Sequence, residues 1–285
     1  MRGVLLMIGS MAAFTFNDTA LKTLADEVPL FQAIFLRGML VSAGLFVIAL
    51  ALGQFRLDLS RHDWNMIGLR TFGEIGATAS FLYALFNLPI ANVTAILQAT
   101  PLVMTLAGAV LLGEKVGWRR WVAILVGFFG VMLIVRPFGE GFSPYSLSVL
   151  AALVFILIRD IPTRKLSPNV PSLMVALSAA VVITAMGAVV TATKPWVPVS
   201  SDSTWAIFTA AGFMLVAYVL AVKVMRVGEI AVVQPFRYTA ILWAILMGIL
   251  VFGEYPDFLT IIGAGIVVGM GVYTFYRERK VKETA

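Results

Sequence analysis

Residues 90–114 read IANVTAILQATPLVMTLAGAVLLGE, and residues 230–254 read IAVVQPFRYTAILWAILMGILVFGE. The two stretches are 140 residues apart, and both begin with Ile-Ala and end with Gly-Glu. A helix rises about 1.5 Å per residue, so about 20 apolar residues cross a hydrocarbon core of ~30 Å. The pair therefore predicts two helices that cross a membrane and belong to an internal repeat.

The whole chain has the composition of a membrane protein. Of its 285 residues, 60% are hydrophobic and 13% are charged, whereas about a quarter of the residues of a soluble domain are charged. We predict an all-α integral membrane protein whose ten transmembrane helices are separated by charges and Pro/Gly turns. The predicted spans are Val4–Leu21, Leu30–Leu52, Trp64–Leu88, Ile90–Leu112, Trp118–Val135, Tyr145–Ile161, Pro171–Thr193, Trp205–Val224, Ile230–Phe252 and Phe258–Tyr276. A break at Asn87-Leu88-Pro89 is needed because one helix from Trp64 to Leu112 would be far too long to cross once.

The basic residues are distributed unevenly between the two predicted sides of the membrane. On the side of the N-terminus 13 of them flank the spans, and the other side has 3, namely Lys22, Arg136 and Lys194. Positive flanks mark the cytoplasmic side, which predicts cytoplasmic N- and C-termini in a multi-pass protein of the cell inner (plasma) membrane. The net charge of +6 therefore reflects orientation, and we expect no nucleic-acid partner.

The repeat divides the ten predicted spans into two sets of five. Because five is odd, the second set enters the membrane upside down relative to the first. Inverted repeats are typical of secondary transporters, whose substrate site lies near the midplane where the halves meet. We therefore predict two inverted five-helix repeats, residues 1–137 and 138–285, around a central cavity.

Several short motifs resemble the EamA family of the drug/metabolite transporter superfamily. They are Pro29–Arg37 (PLFQAIFLR), Tyr83–Ala91 (YALFNLPIA), Pro101 and Gly113-Glu114 in the first half, and Arg226–Ala231 (RVGEIA), Gln234-Pro235 and Phe252–Glu254 in the second. The resemblance implies that helices 1, 3, 4, 6, 8 and 9 surround a cavity and that helices 5 and 10 pack outside it. It also implies export of amino acids or other small metabolites, and the span plan looks closest to aromatic amino acid exporters of the YddG type.

Predicted helix 3 carries a charged pair deep in the membrane. Arg70 and Glu74 are four residues apart on one face, and Thr78 and Phe81 continue that face. An ionisable group at such a depth usually faces a cavity or a partner. In one interpretation Glu74 binds a substrate ammonium or carries a proton, with Thr78 and Phe81 lining the same cavity. In the other, Arg70 and Glu74 only neutralise each other.

Predicted helix 4 has polar residues beside a proline. Thr94, Gln98, Pro101 and Thr105 lie on one face at helical spacing. Pro101 removes a backbone N–H, which predicts a bend and a gating role. Thr94 and Gln98 are candidates for substrate binding, and the alternative is hydrogen bonding between helices.

Predicted helix 9 offers the corresponding region of the second repeat. Pro235 is its candidate gating residue, while Arg237 and Tyr238 are candidates for substrate binding. Arg237 could bind a carboxylate with two parallel hydrogen bonds, or it could form a structural ion pair. Tyr238, together with Phe81, could supply an aromatic wall.

Other polar residues receive weaker or structural interpretations. Asn17, in predicted helix 1, is a further candidate for substrate binding. Asp18 precedes Lys22 by four residues, which predicts a surface ion pair. Arg159 lies near a helix end and is interpreted as a snorkelling side chain. Gly265-x-x-x-Gly269 predicts a close helix contact, within the fold or between subunits.

The sequence argues against chemistry other than transport. There is no cysteine and a single histidine, His62, so we expect no metal site and no cofactor. Neither a His-Glu-x-x-His helix nor a Gly-x-Ser-x-Gly turn is present, and we assign no catalytic residues.

The leading prediction is a secondary exporter of aromatic and other apolar amino acids that works by alternating access, with the bilayer as its surroundings. The alternative is transport of a nucleoside-like metabolite or a cationic drug, and a membrane-embedded enzyme is a remote second alternative.

The charge distribution predicts where the two ends of the chain can be reached. A reporter fused after Ala285 should be active only in the cytoplasm, and a label attached within Lys194–Ser203 should react from outside intact cells. An external C-terminus would contradict both the even number of spans and the inverted repeat.

Overall fold

The structure, a computed structural model, describes residues 2–111, 117–136, 143–163, 165–227 and 233–284. Within these ranges the regular secondary structure is helical throughout, as predicted. The α-helices are α1 (Arg2–Lys22), α2 (Leu30–Ala51), α3 (Arg61–Leu85), α4 (Ile90–Leu97), α5 (Thr100–Leu111), α6 (Trp118–Val135), α7 (Tyr145–Thr163), α8 (Ser172–Ala192), α9 (Ser201–Val227), α10 (Thr239–Met247) and α11 (Phe258–Thr284). A 3-10 segment, Gln234–Tyr238, precedes α10, and a π-helical segment, Gly248–Phe252, follows it.

Seven helical stretches are long and apolar enough to cross a membrane. They include Ile90–Val110, which joins α4 to α5, and Pro235–Phe252, which contains α10. The apolar parts of α6 and α11 are shorter, and α3 is less apolar because it carries internal charges. When α4 and α5 are counted as one unit, the described residues form ten helical units in the order of the ten predicted spans.

The predicted break between the third and fourth spans is confirmed. α3 ends at Leu85, and α4 begins at Ile90, directly after Pro89. Proline disfavours the helical conformation in the residue before it but fits the start of a helix, since the first N–H groups have no partner within the helix.

Both repeated stretches form interrupted helices. In the first, α4 ends at Leu97 and α5 begins at Thr100, so the interruption lies just before Pro101. In the second, Pro235 lies at the start of the 3-10 segment that precedes α10. The bend predicted at Pro101 is therefore a break. Such a break removes helical partners from backbone groups, and here Thr100 Oγ1 donates a hydrogen bond of 2.5 Å to one of them, the Leu97 oxygen.

Some predicted features lie outside the described residues. They are Gly113-Glu114, the Gly228–Ala231 part of the second motif and the boundary between the predicted repeats at residues 137–138. The division of the chain at that boundary remains a prediction.

The helices pair in a pattern that is unchanged when the two halves are exchanged. This exchange replaces α1 by α7, α2 by α8, α3 by α9 and α6 by α11. The most extensive pairs are α3 with α7, α1 with α9, α2 with α8 and α6 with α11. The exchange converts the first pair into the second and leaves the other two unchanged. α2 and α8 are antiparallel, because Gly187 faces Phe31 whereas Thr184 faces Gly38. Two inverted repeats related by a two-fold axis give this pattern.

The α6–α11 pair depends on two glycines that face each other. A Cβ atom at Gly263 would lie 2.6 Å from the carbonyl oxygen of Gly130, and a Cβ at Gly130 would lie 2.9 Å from that of Gly263. Only glycine permits so close an approach of two backbones. At Gly265 and Gly269 an added Cβ would meet nothing within 4 Å among the described residues. Within the chain, the close contact therefore forms at Gly263 rather than along Gly265-x-x-x-Gly269.

Alanine substitutions at Gly263 and Gly265 should distinguish the effect of a lost close contact from the effect of a changed helix propensity. Gly263→Ala places a methyl group against the Gly130 backbone, and overpacking of this kind costs about 1–3 kcal/mol. Gly265→Ala is the matched control, because it adds the same methyl group where there is open space. We expect Gly263→Ala to lower the unfolding temperature in detergent solution and Gly265→Ala to leave it unchanged or raise it. Equal temperatures for the two variants would contradict the contact.

Candidate functional site

Glu74 lies between two arginines in the middle of the bundle. Its Oε2 atom is 3.2 Å from Arg70 Nη2 on α3, and its Oε1 atom is 3.5 Å from Arg159 Nη1 on α7. Arg159 Nε also donates a hydrogen bond of 2.7 Å to Asp160 Oδ1. The predicted Arg70–Glu74 pair is thus confirmed and forms part of a larger group. We call Arg70, Glu74, Arg159 and Asp160 the inner charge cluster.

Two glycines bring α3 close enough to α7 for this cluster to form. A Cβ at Gly73 would lie 2.5 Å from the backbone nitrogen of Arg159, and a Cβ at Gly76 would lie 2.3 Å from the Phe155 ring. The missing side chains allow the two backbones to approach closely, and Glu74 then reaches Arg159. The side chains of Glu74 and Arg159 are 14% and 25% exposed, so their interaction is screened less than that of a surface ion pair.

The cluster contains hydrogen-bonding atoms that lack a partner. Arg70 Nε and Nη1 are buried and have no hydrogen-bond partner among the described residues. Glu74 Oε2 is buried too, and although it lies 3.2 Å from Arg70 Nη2 it makes no hydrogen bond there. A buried polar group left unpaired costs about 1–3 kcal/mol. Because donors of Arg70 and an acceptor of Glu74 are left over on adjacent side chains, this site can bind a ligand that carries both an acceptor and a donor.

Two further polar side chains lie near enough to interact electrostatically with the cluster, without a hydrogen bond or ion pair to it among the described residues. Tyr218 on α9 lies within electrostatic range of Glu74 and Arg70. Arg237, in the 3-10 segment, lies within electrostatic range of Asp160 and Arg159. With Arg237 included, three cationic side chains and two carboxylates interact in this region, which is an excess of one positive charge.

A second polar group joins α1 to α2. Arg37 Nη1 donates to Asn17 Oδ1 at 3.1 Å, and Asn17 Nδ2 donates to Asp18 Oδ1 at 2.9 Å. Asp18 and Arg37 also attract each other electrostatically. The predicted Asp18–Lys22 surface pair was wrong, because Lys22 pairs with Glu254 while Asp18 faces Arg37. Asn17, a candidate for substrate binding, is buried as the bridge in this group.

Aromatic rings surround the same region on α1, α9 and α10. The Phe16 ring packs edge to face against Phe213 and Trp243, with centroids 5.2 and 5.8 Å away. Phe14 packs against Tyr218 at 5.9 Å. Trp243 Nε1 is buried without a hydrogen-bond partner among the described residues. These rings form an apolar wall with one free N–H donor.

The predicted residues of helices 3 and 4 lie in different surroundings. Thr78 is half-buried on the face of Glu74, whereas Phe81 packs against buried residues of the apolar core. Thr94 is half-buried in α4. Gln98, in the gap between α4 and α5, donates a hydrogen bond of 3.3 Å from Nε2 to the backbone oxygen of Arg237. The two interrupted helices therefore meet at their interruptions, which are the predicted gating regions of Pro101 and Pro235.

Tyr238 points away from the inner charge cluster. A Cβ at Gly271 of α11 would lie 1.7 Å from the Tyr238 hydroxyl oxygen, so the tyrosine fills the space that this glycine leaves. The structure places Arg237 near the cluster and the side chain of Tyr238 on the other side of the same segment, since adjacent residues of a helical segment face different directions.

Several residues of the site were missed by the sequence analysis. Arg159 was interpreted as a snorkelling side chain, and Asp160, Phe16 and Trp243 were not singled out. The adjacent Arg159-Asp160 pair inside an apolar helix was a usable signal, because two ionisable residues within a span usually mark a partner or a cavity.

Comparison with known proteins identifies several similar chains. The profile of the EamA-like transporter family matches residues 1–136. The S-adenosylmethionine uptake transporter of Rickettsia prowazekii is 26% identical over 283 residues, which cover 98% of this chain and 94% of that protein. The riboflavin transporter of Vibrio cholerae is 33% identical over 216 residues, covering 74% and 71%. The pseudopaline exporter of Pseudomonas aeruginosa is 26% identical over 289 residues, covering 98% and 97%. One crystal structure aligns over 98% of both chains with a TM-score of 0.62 at 21% identity, a likeness that concerns the fold alone.

Glu74→Gln should destabilise the protein, because it leaves Arg70 and Arg159 facing each other without the carboxylate between them. Breaking a buried pair by removing one partner costs about 3–5 kcal/mol. Arg70→Gln combined with Glu74→Gln should recover most of this loss, since Arg159 keeps Asp160 as its partner. The measurement is the unfolding temperature in detergent solution, with the exposed loop variant Asp26→Asn as control. A Glu74→Gln protein as stable as wild type would contradict the prediction.

Proposed function

The chain belongs to the EamA-like transporter family, and we propose that it moves a zwitterionic metabolite with an amino-acid head group across the membrane. Membership makes it a multi-pass membrane transporter of small molecules rather than an enzyme. The amino-acid head group, the alternating-access mechanism and the cytoplasmic location of both termini in the inner membrane are part of the proposal. So are the residues assigned below.

The observation that carries the proposal is the set of unpaired atoms in the inner charge cluster. Arg70 Nε and Nη1 can donate to a carboxylate, and Glu74 Oε2, which has an ion-pair contact with Arg70 Nη2 but no hydrogen bond, can accept from an ammonium. An amino acid presents these two groups on one carbon atom, and Arg70 and Glu74 present the complementary groups one helical turn apart. The excess positive charge contributed by Arg237 further favours the carboxylate.

The rest of the substrate is assigned to the aromatic wall. Phe16, Phe213 and Trp243 are supplied by three helices near Tyr218, which itself lies close to Glu74. They suit this role better than Phe81, which packs in the core. Rings of this kind favour aromatic and large apolar groups, but differences of one methyl group are worth only about 1–3 kcal/mol, so we expect broad selectivity.

Asn17, Thr78, Thr94 and Gln98 are proposed as polar groups of the same path. All four are half-buried or buried on helices α1, α3 and α4 or in the gap that follows α4. Gln98 holds the two interrupted helices together through the Arg237 carbonyl oxygen. A change at either interruption would then be transmitted to Arg237, which is the basis for keeping Pro101 and Pro235 as proposed gating residues.

The names of the relatives support a substrate with these features. S-adenosylmethionine, the substrate named for one relative, has an α-amino-acid head and an aromatic base. Riboflavin, named for another, has a fused aromatic ring system without that head, and transport of such a heteroaromatic or cationic compound is the alternative. One name specifies uptake and another export. Export, predicted from the sequence, is therefore tested by measuring flux in both directions.

Counterflow in proteoliposomes tests the proposal. Labelled phenylalanine should accumulate in vesicles loaded with unlabelled phenylalanine, and tryptophan, methionine and S-adenosylmethionine should compete with it. Arg70→Gln combined with Glu74→Gln should fold but transport at least about tenfold more slowly, because a hydrogen bond to a charged group contributes about 1.5–3 kcal/mol. Arg61→Gln, at the exposed start of α3, is the control and should transport normally. Movement of riboflavin, a nucleoside or a cationic drug without movement of any amino acid would replace this assignment by the alternative.

A further inference from the structure

Lys22 at the end of α1 makes contacts with two other parts of the bundle. Its Nζ atom is 2.5 Å from the carbonyl oxygen of Leu88, in the turn between α3 and α4, and 2.5 Å from Glu254 Oε1. The ammonium also lies 4.9 Å from the centroid of the Phe252 ring. Its side chain is 10% exposed. A lysine that only served as a positive flank would extend into the interface instead.

Glu254 uses its second oxygen to hold α4. Its Oε2 atom accepts a hydrogen bond of 3.0 Å from the backbone N–H of Ile90, the first residue of α4. Gly253, with φ of +65°, turns the chain after the π-helical segment, and Glu254 N donates to Gly248 O at 2.9 Å. The position of this carboxylate is thus fixed by its own turn. Through Lys22, one ion pair joins the end of α1, the start of α4 and the end of the segment that follows α10.

We propose that the Lys22–Glu254 pair is a latch that holds this end of the helix bundle closed and must open in each transport cycle. The three units that it joins also carry parts of the site: Asn17 on α1, Gln98 after α4, and Trp243 on α10. All of these residues lie deeper in the bundle than the latch. An ion pair that ties the ends of site-lining helices blocks the path from that end as long as it remains formed.

Two other polar ties join helices that already pack closely, and they are related by the same 140-residue shift as the repeat. At one end, Asp63 Oδ2 accepts from Ser60 Oγ at 2.7 Å, and Asp63 Oδ1 accepts from Ser167 N at 3.0 Å. At the other end, Glu27 accepts from Ser200 Oγ at 2.9 Å and from Ser203 Oγ. The first tie joins α3 to the loop after α7, and the second joins α9 to the loop after α1.

These serine–carboxylate ties hold the α3–α7 and α1–α9 pairs together as units. Hydrogen bonds from Ser203 and Ser200 lower the pKa of the Glu27 carboxyl, so Glu27 stays ionised at neutral pH. The latch differs from these ties because it joins α1, α4 and the segment after α10, which pack on one another less extensively than the helices of those pairs. Its lysine also has no counterpart in the second half, since the 140-residue shift places Pro162 at the position corresponding to Lys22. With the predicted orientation, the latched end faces outward.

Accessibility of a single cysteine tests the latch without a transport assay. The chain has no cysteine of its own, so Thr78→Cys provides a unique thiol on α3 between Glu74 and the latched end. A charged methanethiosulfonate reagent that does not cross membranes is added outside intact cells. In the Thr78→Cys background, Lys22→Met should raise the rate of labelling roughly fivefold or more, the range in which coupling energies within proteins fall.

Three further variants identify the cause of the change. Glu254→Gln keeps an oxygen that can accept from Ile90 N but loses the charge, so it should also raise the labelling rate. Lys22→Arg keeps the cation and should label at the rate of the Thr78→Cys parent. Lys194→Met removes a lysine from the same predicted side without touching the latch, and it should have no effect.

The yield and elution profile of each variant are checked before labelling. Because Glu254→Gln keeps the helix cap, it decides the question even if Lys22→Met fails to fold. Labelling of Lys22→Met and Glu254→Gln at the parental rate would overturn the proposal. An equal rise in Lys194→Met would do the same, because the effect would then follow from surface charge.

Discussion

A charged side chain inside a membrane protein must find a partner, and this requirement shapes the centre of the bundle. Glu74 is shared between two cations, since its carboxylate contacts both Arg70 and Arg159, while two nitrogens of Arg70 have no hydrogen-bond partner among the described residues. The second partner comes from α7, and it can reach Glu74 only because Gly73 and Gly76 have no side chains. The packing of α3 against α7 therefore also determines which charges surround Glu74. The α3–α7 contact, the most extensive between helices of the described residues, positions the groups that can bind a ligand.

The sequence predicted the fold well because hydrophobic length and charge alternation are local signals. The break before Ile90 followed from Pro89, and the missing N–H of Pro101 predicted a bend where the structure has a break. Each of these features depends on residues within a few positions of one another. The pairing of helices confirmed the repeat that a 140-residue shift first indicated.

The partners of individual side chains were harder to predict than the helices that carry them. Helical periodicity placed Arg70 and Glu74 on one face, and that prediction is confirmed. It could not show that Arg159 lies opposite, because 85 residues separate it from Glu74 in the chain. Lys22 illustrates the same problem, since an acidic residue four positions away was the expected partner, whereas Glu254 is the actual one. Periodicity defines the direction of a side chain but not the neighbour that it meets.

The serine–carboxylate ties have a consequence for how the two halves of the chain fit together. In the first half the carboxylates are Glu27 and Asp63, and the equivalent positions of the second half are Ser167 and Ser203. If both halves carried the residues of the first half, an aspartate would meet a glutamate at each of the two ties. If both carried the residues of the second half, only serines would meet there. Each half therefore supplies what the other lacks at both ties. The two halves are therefore complementary at these positions rather than interchangeable, and neither could form the same ties with a copy of itself.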